Sequence, residues 1–250
     1  MNVTITTFAK NIKQPKGGFL PVKLFKETRY DEYRIDLYPD ENVSKSLIGM
    51  TVDNLTRVLL GAKPKEVYEP ATYGMMAVKD RNYCLIYQAI DLDDDAIIAA
   101  YRLSFYEQIY RSGRKPPKGF KLELPDKHTI ENIRVMVNRS TNYFKQQKSI
   151  INSGEMLSMK CRSGSIYGDY DYLTEDSLID MKVLSKKITS AHTLQIVLYW
   201  LAGKTSKKKG FDNVKYLKFY NPRLNVEYSL DLDKLSLDIL NPISYEVLMF

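Results

Sequence analysis

The first 150 residues contain three stretches in which apolar side chains recur at helical spacing. The pattern predicts helices over residues 44–61, directly after the acidic run 93–95, and over residues 128–144. Three consecutive carboxylates could suggest a metal cluster. Ahead of an apolar run, however, they are typical of first-turn residues that interact favourably with the helix dipole. Residues 1–40, which include Lys-Gly-Gly and several prolines, predict short strands or an arm with turns.

From residue 156 onward the pattern changes to the one typical of β-strands. Residues 167–173 and 178–183 predict two strands joined by residues 174–177, which together form a hairpin. Beyond the hairpin the pattern predicts a helix over 192–202 that ends at Gly203, strands over 214–220 and 225–230, and a short helix near 232–240. The sequence therefore predicts an α/β protein with a mixed central sheet flanked by helices and a helical N-terminal portion.

No change of composition along the chain requires a domain boundary. We therefore expect a single domain over residues 1–250. In it, residues 1–150 supply the N-terminal strands or arm and the helices. Residues 151–250 supply the hairpin, its following helix and the C-terminal strands. The sequence predicts no particular oligomeric state.

The composition excludes several classes of protein. With 250 residues, 44% of them hydrophobic, the chain can bury a large core. Its longest apolar run, residues 196–202, is far shorter than the roughly 20 residues that span a bilayer, so no membrane association is expected. The first residues lack the apolar region of a secretory signal, which favours a cytoplasmic location. Two cysteines are too few for a disulfide framework or a four-thiolate metal site.

Positive charge is concentrated in one segment. The whole chain has a net charge of +7, but residues 181–223 hold ten Lys and Arg against one acid, so this segment alone carries +9. A local basic surface favours a polyanionic partner, and DNA is the partner predicted here; the alternative is a solvated lysine-rich loop. The candidate phosphate-binding side chains are Lys186, Lys187, Lys204, Lys207, Lys208, Lys209 and Arg223.

Two acids of the predicted hairpin are candidates for a metal site. A four-residue loop pairs Leu173 with Leu178 and makes Asp171 and Asp180 cross-strand neighbours. Such a pair of like charges needs a cation, which Lys182 on the same face as Asp180, or a divalent metal, would supply. Carboxylate oxygens suit Mg²⁺ or Mn²⁺, and such an ion can activate water for attack on a phosphodiester. An ordinary surface hairpin is the alternative.

The order and spacing of three motifs extend beyond this pair. Gly168-x-x-Asp171 ends nine positions before Asp180-x-Lys182, and Gln195-x-x-x-Tyr199 begins thirteen residues after the lysine. This arrangement resembles the PD-(D/E)XK nuclease superfamily, specifically the branch of the RecB nuclease domain and lambda exonuclease. The resemblance covers residues 160–202. It implies a restriction-endonuclease-like core and Mg²⁺-dependent hydrolysis of DNA. It also implies metal ligation by Asp171 and Asp180, a catalytic Lys182, and a site lined by Gln195 and Tyr199.

The same superfamily contributes one more residue from an early helix, often in a Gly-x-x-x-His motif. Here Gly49 is followed four positions later by Asp53, so an aspartate stands where the histidine would be. Asp53 could act as an oxygen ligand, or it could form an ordinary helical ion pair with Arg57 at i+4. Glu155, sixteen residues before Asp171, is the rival third ligand.

Two further features refine this interpretation. The blocks GDYDYLTEDSL, HTLQIVLYW and YNPRLNVEY resemble a group of bacterial and phage proteins of unassigned function, a likeness that predicts a defined turn at Asn221, Pro222, Arg223 and Asn225. Gly203-Lys204-Thr205 imitates the end of a phosphate-binding loop, but the glycine required five positions earlier is Leu198, so no nucleotide cofactor is expected.

The predicted function is that of a metal-dependent deoxyribonuclease, either endo- or exonucleolytic. The alternative is a non-catalytic nucleic-acid-binding protein on the same scaffold. A protein-binding module whose lysines serve only solubility is a third possibility.

Overall fold

The computed structural model describes residues 2–30, 35–161 and 164–248. The chain divides into two compact units, one formed by residues 1–30 together with 146–250 and the other by residues 31–145. The sequence predicts a single domain divided near residue 150, whereas the structure places the first 30 residues with the C-terminal portion. Within the described ranges, no helix combines the length and the apolar character needed to cross a membrane.

The unit of residues 31–145 is helical. Its elements are α2 (Lys45–Leu59), α3 (Pro64–Val67), α4 (Glu69–Val78), α5 (Leu85–Gln88), α6 (Asp94–Ser112) and α7 (Lys127–Lys145). The three predicted helices are confirmed as α2, α6 and α7. Asp93 and Asp126 accept hydrogen bonds from the backbone N–H groups of Ala96 and Thr129, both at 2.8 Å, so local side chains define the starts of α6 and α7.

The other unit contains all the strands in the described ranges. They are β1 (Asn2–Thr4), β2 (Lys26–Arg29), β3 (Ile150–Ser153), β4 (Met156–Cys161), β5 (Gly164–Asp169), β6 (Tyr172–Thr174), β7 (Ser177–Met181), β8 (Tyr216–Asn221) and β9 (Val226–Asp231). Its helices are α1 (Ile5–Asn11), α8 (Ser190–Thr205) and α9 (Leu237–Pro242), followed by a π-helical turn at Ile243–Leu248.

These strands form two sheets. One has six strands in the order β2-β9-β8-β7-β6-β3, and in it only the β7–β8 pair is parallel. The other has three strands in the order β1-β5-β4. Because parallel neighbours need a crossover connection, α8 leads from β7 to β8 and packs its buried face into the main core. The predicted mixed sheet flanked by helices is thus observed.

Three local predictions need correction. The strand predicted over residues 167–173 is interrupted between β5 and β6, which belong to different sheets. The predicted end of a helix at Gly203 is wrong, because α8 continues to Thr205. A Cβ atom at Gly203 would lie 2.1 Å from the Phe211 ring, so this glycine permits close packing and does not end the helix. Helix α1 replaces part of the arm predicted at the N-terminus.

Candidate active site

The hairpin of β6 and β7 positions the two candidate acids. Its predicted register is confirmed, since Leu173 pairs with Leu178 and Tyr172 with Ile179. Asp180 lies in the middle of the six-stranded sheet and is only 2% exposed. Asp171 lies in the bend just before β6, and its Oδ2 accepts a hydrogen bond from the backbone N–H of Met181 at 2.8 Å. This bond holds the Asp171 carboxylate beside the residue that follows Asp180.

Lys182 links the two acids electrostatically. Its Nζ lies 2.8 Å from Oδ2 of Asp180, and its backbone N–H donates to the carbonyl of Tyr220 on β8 at 2.9 Å. Burial alone would lower the pKa of Lys182, but the carboxylates of Asp180 and Asp171 act more strongly in the opposite direction and raise it above its ordinary value. Lys182 is therefore charged at every physiological pH. Its side chain is 21% exposed, so solvent reaches the charged cluster.

Helix α8 presents Gln195 and Tyr199, one turn apart, to the same cluster. Both side chains are buried, and the Nε2 group of Gln195 donates to Oγ1 of Thr6 at 3.1 Å. The Thr6 hydroxyl also bonds to Tyr199. A Cβ atom at Gly168 would lie 2.9 Å from the Tyr199 hydroxyl, so the glycine of the Gly-x-x-Asp motif allows the tyrosine ring to approach.

The cluster fixes the protonation of two neighbouring side chains. Burial, followed by the negative charge of Asp180, raises the pKa of Tyr199 to about 12, so its hydroxyl keeps its proton and can donate a hydrogen bond. Burial, followed by the positive charges of Lys182 and Lys10, lowers the pKa of His192 to about 4. His192 Nδ1 accepts from the backbone N–H of Thr189 at 3.0 Å, which caps α8 and leaves the ring proton on Nε2.

The donor set at this cluster suits a hard divalent cation. In the described part of the chain no group of three or more His, Cys, Asp or Glu side chains could hold a metal. Two carboxylates with the remaining positions taken by water or phosphate oxygens are nevertheless typical of Mg²⁺, which keeps several waters. Asp171, Asp180 and Lys182 sum to a charge of −1, so a divalent ion would make the site attractive to a phosphate group.

The two candidates for a third ligand have ion-pair partners of their own. Asp53 lies on α2 in the helical unit, where its Oδ2 is 2.9 Å from the Arg57 guanidinium, which is the ordinary i+4 helical ion pair. Glu155 lies in the same unit as the cluster. Its carboxylate contacts Lys208 and accepts from the Tyr170 hydroxyl at 3.1 Å, and these contacts, Lys208 first, lower its pKa.

The basic segment is partly neutralised by acids from other parts of the fold. Lys187 lies 2.7 Å from Glu27 on β2, and Lys208 contacts Glu155. Lys204 lies 3.9 Å from Asp212 and packs over the Trp200 ring. In contrast, Lys186, Lys207 and Lys209 are exposed and make no ion pair with the described residues. The charge available to a partner is therefore smaller than the sequence total indicates.

The predicted turn between β8 and β9 is present. The Asn221 side chain accepts from the backbone N–H groups of Arg223 and Leu224, and it donates to the Leu184 carbonyl at 2.9 Å. Asn225 adopts a left-handed φ of 51° and accepts from the Tyr220 hydroxyl at 2.7 Å. The turn thereby anchors the segment that follows Lys182 and holds Arg223 in a partly exposed position.

Thr6 is the site residue that sequence reasoning missed. The signal was present, because Ile5, Phe8 and Ala9 have the i, i+3, i+4 spacing of a helix, and Thr4 is a favoured capping residue. In the structure Thr4 does cap α1, and its Oγ1 accepts from the Thr7 N–H. No local pattern, however, indicates that this helix packs on α8.

Comparisons of this chain with protein-family models, with curated proteins and with solved structures found no match.

Proposed function

We propose that this protein is a metal-dependent nuclease that hydrolyses phosphodiester bonds in DNA. The observation that carries the proposal is the convergence of two carboxylates, a charged lysine and a protonated tyrosine on one end of β7. The topology adds support, because an antiparallel hairpin followed by a helix and a parallel strand fits the restriction-endonuclease-like core that the motif spacing implies. A cytoplasmic location is part of the same proposal.

Each side chain has a role that follows from its position. Asp171 and Asp180 would hold Mg²⁺ or Mn²⁺, and the ion, when bound, supplies a water of lowered pKa and neutralises phosphate charge. Lys182 carries a fixed positive charge beside Asp180 and stabilises the additional negative charge of the transition state. Tyr199 can donate a hydrogen bond to a phosphate oxygen, and Gln195 is held in place by Thr6.

The lysines that make no internal ion pair supply a surface for the DNA backbone. Lys186 follows the site lysine by four residues, and Lys207 and Lys209 follow the end of α8. Contacts from these side chains to phosphates would be independent of base sequence. Arg223, on the turn next to β8, is the further candidate for a phosphate contact.

A cleavage assay tests this function. Plasmid, linear duplex, single-stranded DNA and RNA are incubated with the wild-type protein and with Mg²⁺, Mn²⁺ or EDTA. We expect cleavage of DNA that requires the metal and is abolished in Asp180→Asn. The matched control Asp212→Asn removes an exposed acid of the same unit and should cleave as wild type does. Metal-independent cleavage, undiminished cleavage by Asp180→Asn, or DNA binding without products would overturn the proposal; the last result would favour the non-catalytic binder.

A further inference from the structure

A second basic segment lies in the helical unit, outside the proposed nuclease site. Residues 108–122 contain five Lys and Arg and no acid, although the unit of residues 31–145 as a whole holds equal numbers of acidic and basic side chains. Arg111 at the end of α6 is paired with Glu107 at 2.7 Å. The other four cations are exposed and make no ion pair with any described residue: Arg114, Lys115, Lys118 and Lys121.

Exposed aromatic rings stand at both ends of this segment. Tyr110, 51% exposed, packs against Tyr73, 42% exposed, with ring centroids 5.2 Å apart. Phe120, 48% exposed, stacks on Phe105 at 5.5 Å with the ring planes only 16° apart. Burial of aromatic rings contributes strongly to folding, so rings that stay half exposed beside uncompensated charge call for a functional explanation.

The backbone between the two ring pairs is constrained. Gly113 ends α6 in the left-handed conformation, with a φ of 65°, and Pro116 and Pro117 follow. The N–H of Phe120 donates to the Pro117 carbonyl at 3.1 Å and closes a turn that places the ring. Because proline fixes φ and the turn is hydrogen-bonded, binding to this segment costs less ordering than binding to a flexible lysine-rich loop.

We infer that residues 110–121, together with Tyr73, form a binding site for single-stranded nucleic acid. Unpaired bases would stack on Tyr110 and Phe120, and the four exposed cations between and beside them would contact the phosphates. Double-stranded DNA keeps its bases stacked inside the helix and cannot use the rings. An acidic peptide could use the charges but has no bases to stack. The inference concerns binding by the helical unit and does not depend on the proposed nuclease activity.

Fluorescence anisotropy tests this site in the full-length protein. The probe is a labelled 20-nucleotide oligo(dT), and EDTA is present so that no cleavage can occur. We expect Tyr110→Ala to weaken binding about tenfold, since stacking on one ring contributes roughly 1–3 kcal/mol per base, and Tyr110→Phe to retain the affinity. Phe120→Ala is a second, independent variant. Both rings are largely exposed, so circular dichroism should be unchanged.

A charge-matched pair of variants separates specific binding from general attraction. Replacing Arg114, Lys115 and Lys118 by Gln should flatten the dependence of log K on log salt by about 2, because each phosphate neutralised on a single strand contributes about 0.7 to the slope. Replacing the exposed Lys45, Lys63 and Lys65 of the same unit by Gln should leave the slope unchanged. Wild-type affinity in Tyr110→Ala and Phe120→Ala, or competition by poly-glutamate as strong as by unlabelled oligo(dT), would overturn the inference.

Discussion

Replacing Lys182 by Met should destabilise the unit that holds the cluster, and the destabilisation should grow as the pH rises. The methionine keeps most of the side-chain volume but removes the charge that lies 2.8 Å from Asp180. At that distance, with an effective dielectric constant of 20, the attraction is about 6 kcal/mol. Part of it is offset by the cost of burying the lysine, so we expect stability to fall by about 3–5 kcal/mol at pH 8.

The pH dependence follows from the two acids that stay behind. Without Lys182, burial and mutual repulsion raise the pKa values of Asp171 and Asp180 in the folded variant above their unfolded values. The folded variant then binds more protons than the unfolded chain, and its stability falls as the pH rises through the folded pKa values. The difference from wild type should therefore be small near pH 4 and largest at pH 8. Mg²⁺ should reduce this difference, because a cation between the acids replaces the charge of the lysine.

Urea unfolding followed by fluorescence measures this effect in the correct unit. Trp200, the single tryptophan of the chain, lies on α8 and reports on the unit that contains the cluster. The matched control is Lys186→Met, which removes an exposed lysine four residues away and should change stability by less than about 0.5 kcal/mol. A destabilisation in Lys182→Met that is equal at pH 4 and pH 8, or no larger than in the control, would refute the reasoning.

Two further outcomes are expected. Changing Lys186, Lys207 and Lys209 together to Gln should weaken duplex DNA binding equally for all sequences and flatten the salt dependence by up to about 0.9 per phosphate contact, with metal affinity unchanged; identical slopes would show that these lysines are only solvated. Because the folded pKa of His192 is lowered to about 4, its contribution to stability is full above the unfolded pKa and is lost as the pH falls from about 6.5 to 4. For this partly buried ring we expect a contribution of about 1–2 kcal/mol that is absent in urea unfolding of His192→Asn, and parallel pH profiles of variant and wild type would contradict it.

The elements that the sequence predicts well are those defined by near neighbours. Asp93 and Asp126 each cap a helix three residues before the N–H they accept from, and the four-residue connection between β6 and β7 fixes the register of the hairpin. The Gln195 and Tyr199 pair follows from the one-turn spacing of α8 alone. These features need no knowledge of the remaining chain.

The features that escape sequence reasoning depend on pairing between distant segments. Strand β1 pairs with β5 and β2 pairs with β9, which brings residues 1–30 into the unit of residues 146–250 and Thr6 against Gln195. The same pairing places Glu27 on Lys187 and so reduces the charge of the basic segment. Neither hydrophobic periodicity nor local charge contains information about such long-range partners.

A divalent cation held by Asp171 and Asp180 is the requirement on which the nuclease proposal rests most directly. Titration of Mn²⁺ into the protein, followed by the electron paramagnetic resonance signal of the free ion, counts bound metal without relying on activity. Wild type and the control Asp212→Asn should bind the ion with the same affinity, whereas Asp171→Asn and Asp180→Asn should each weaken it at least tenfold, because removing either acid leaves a single carboxylate to hold the ion. Equal Mn²⁺ binding by all four proteins would contradict a metal site at the β6–β7 hairpin.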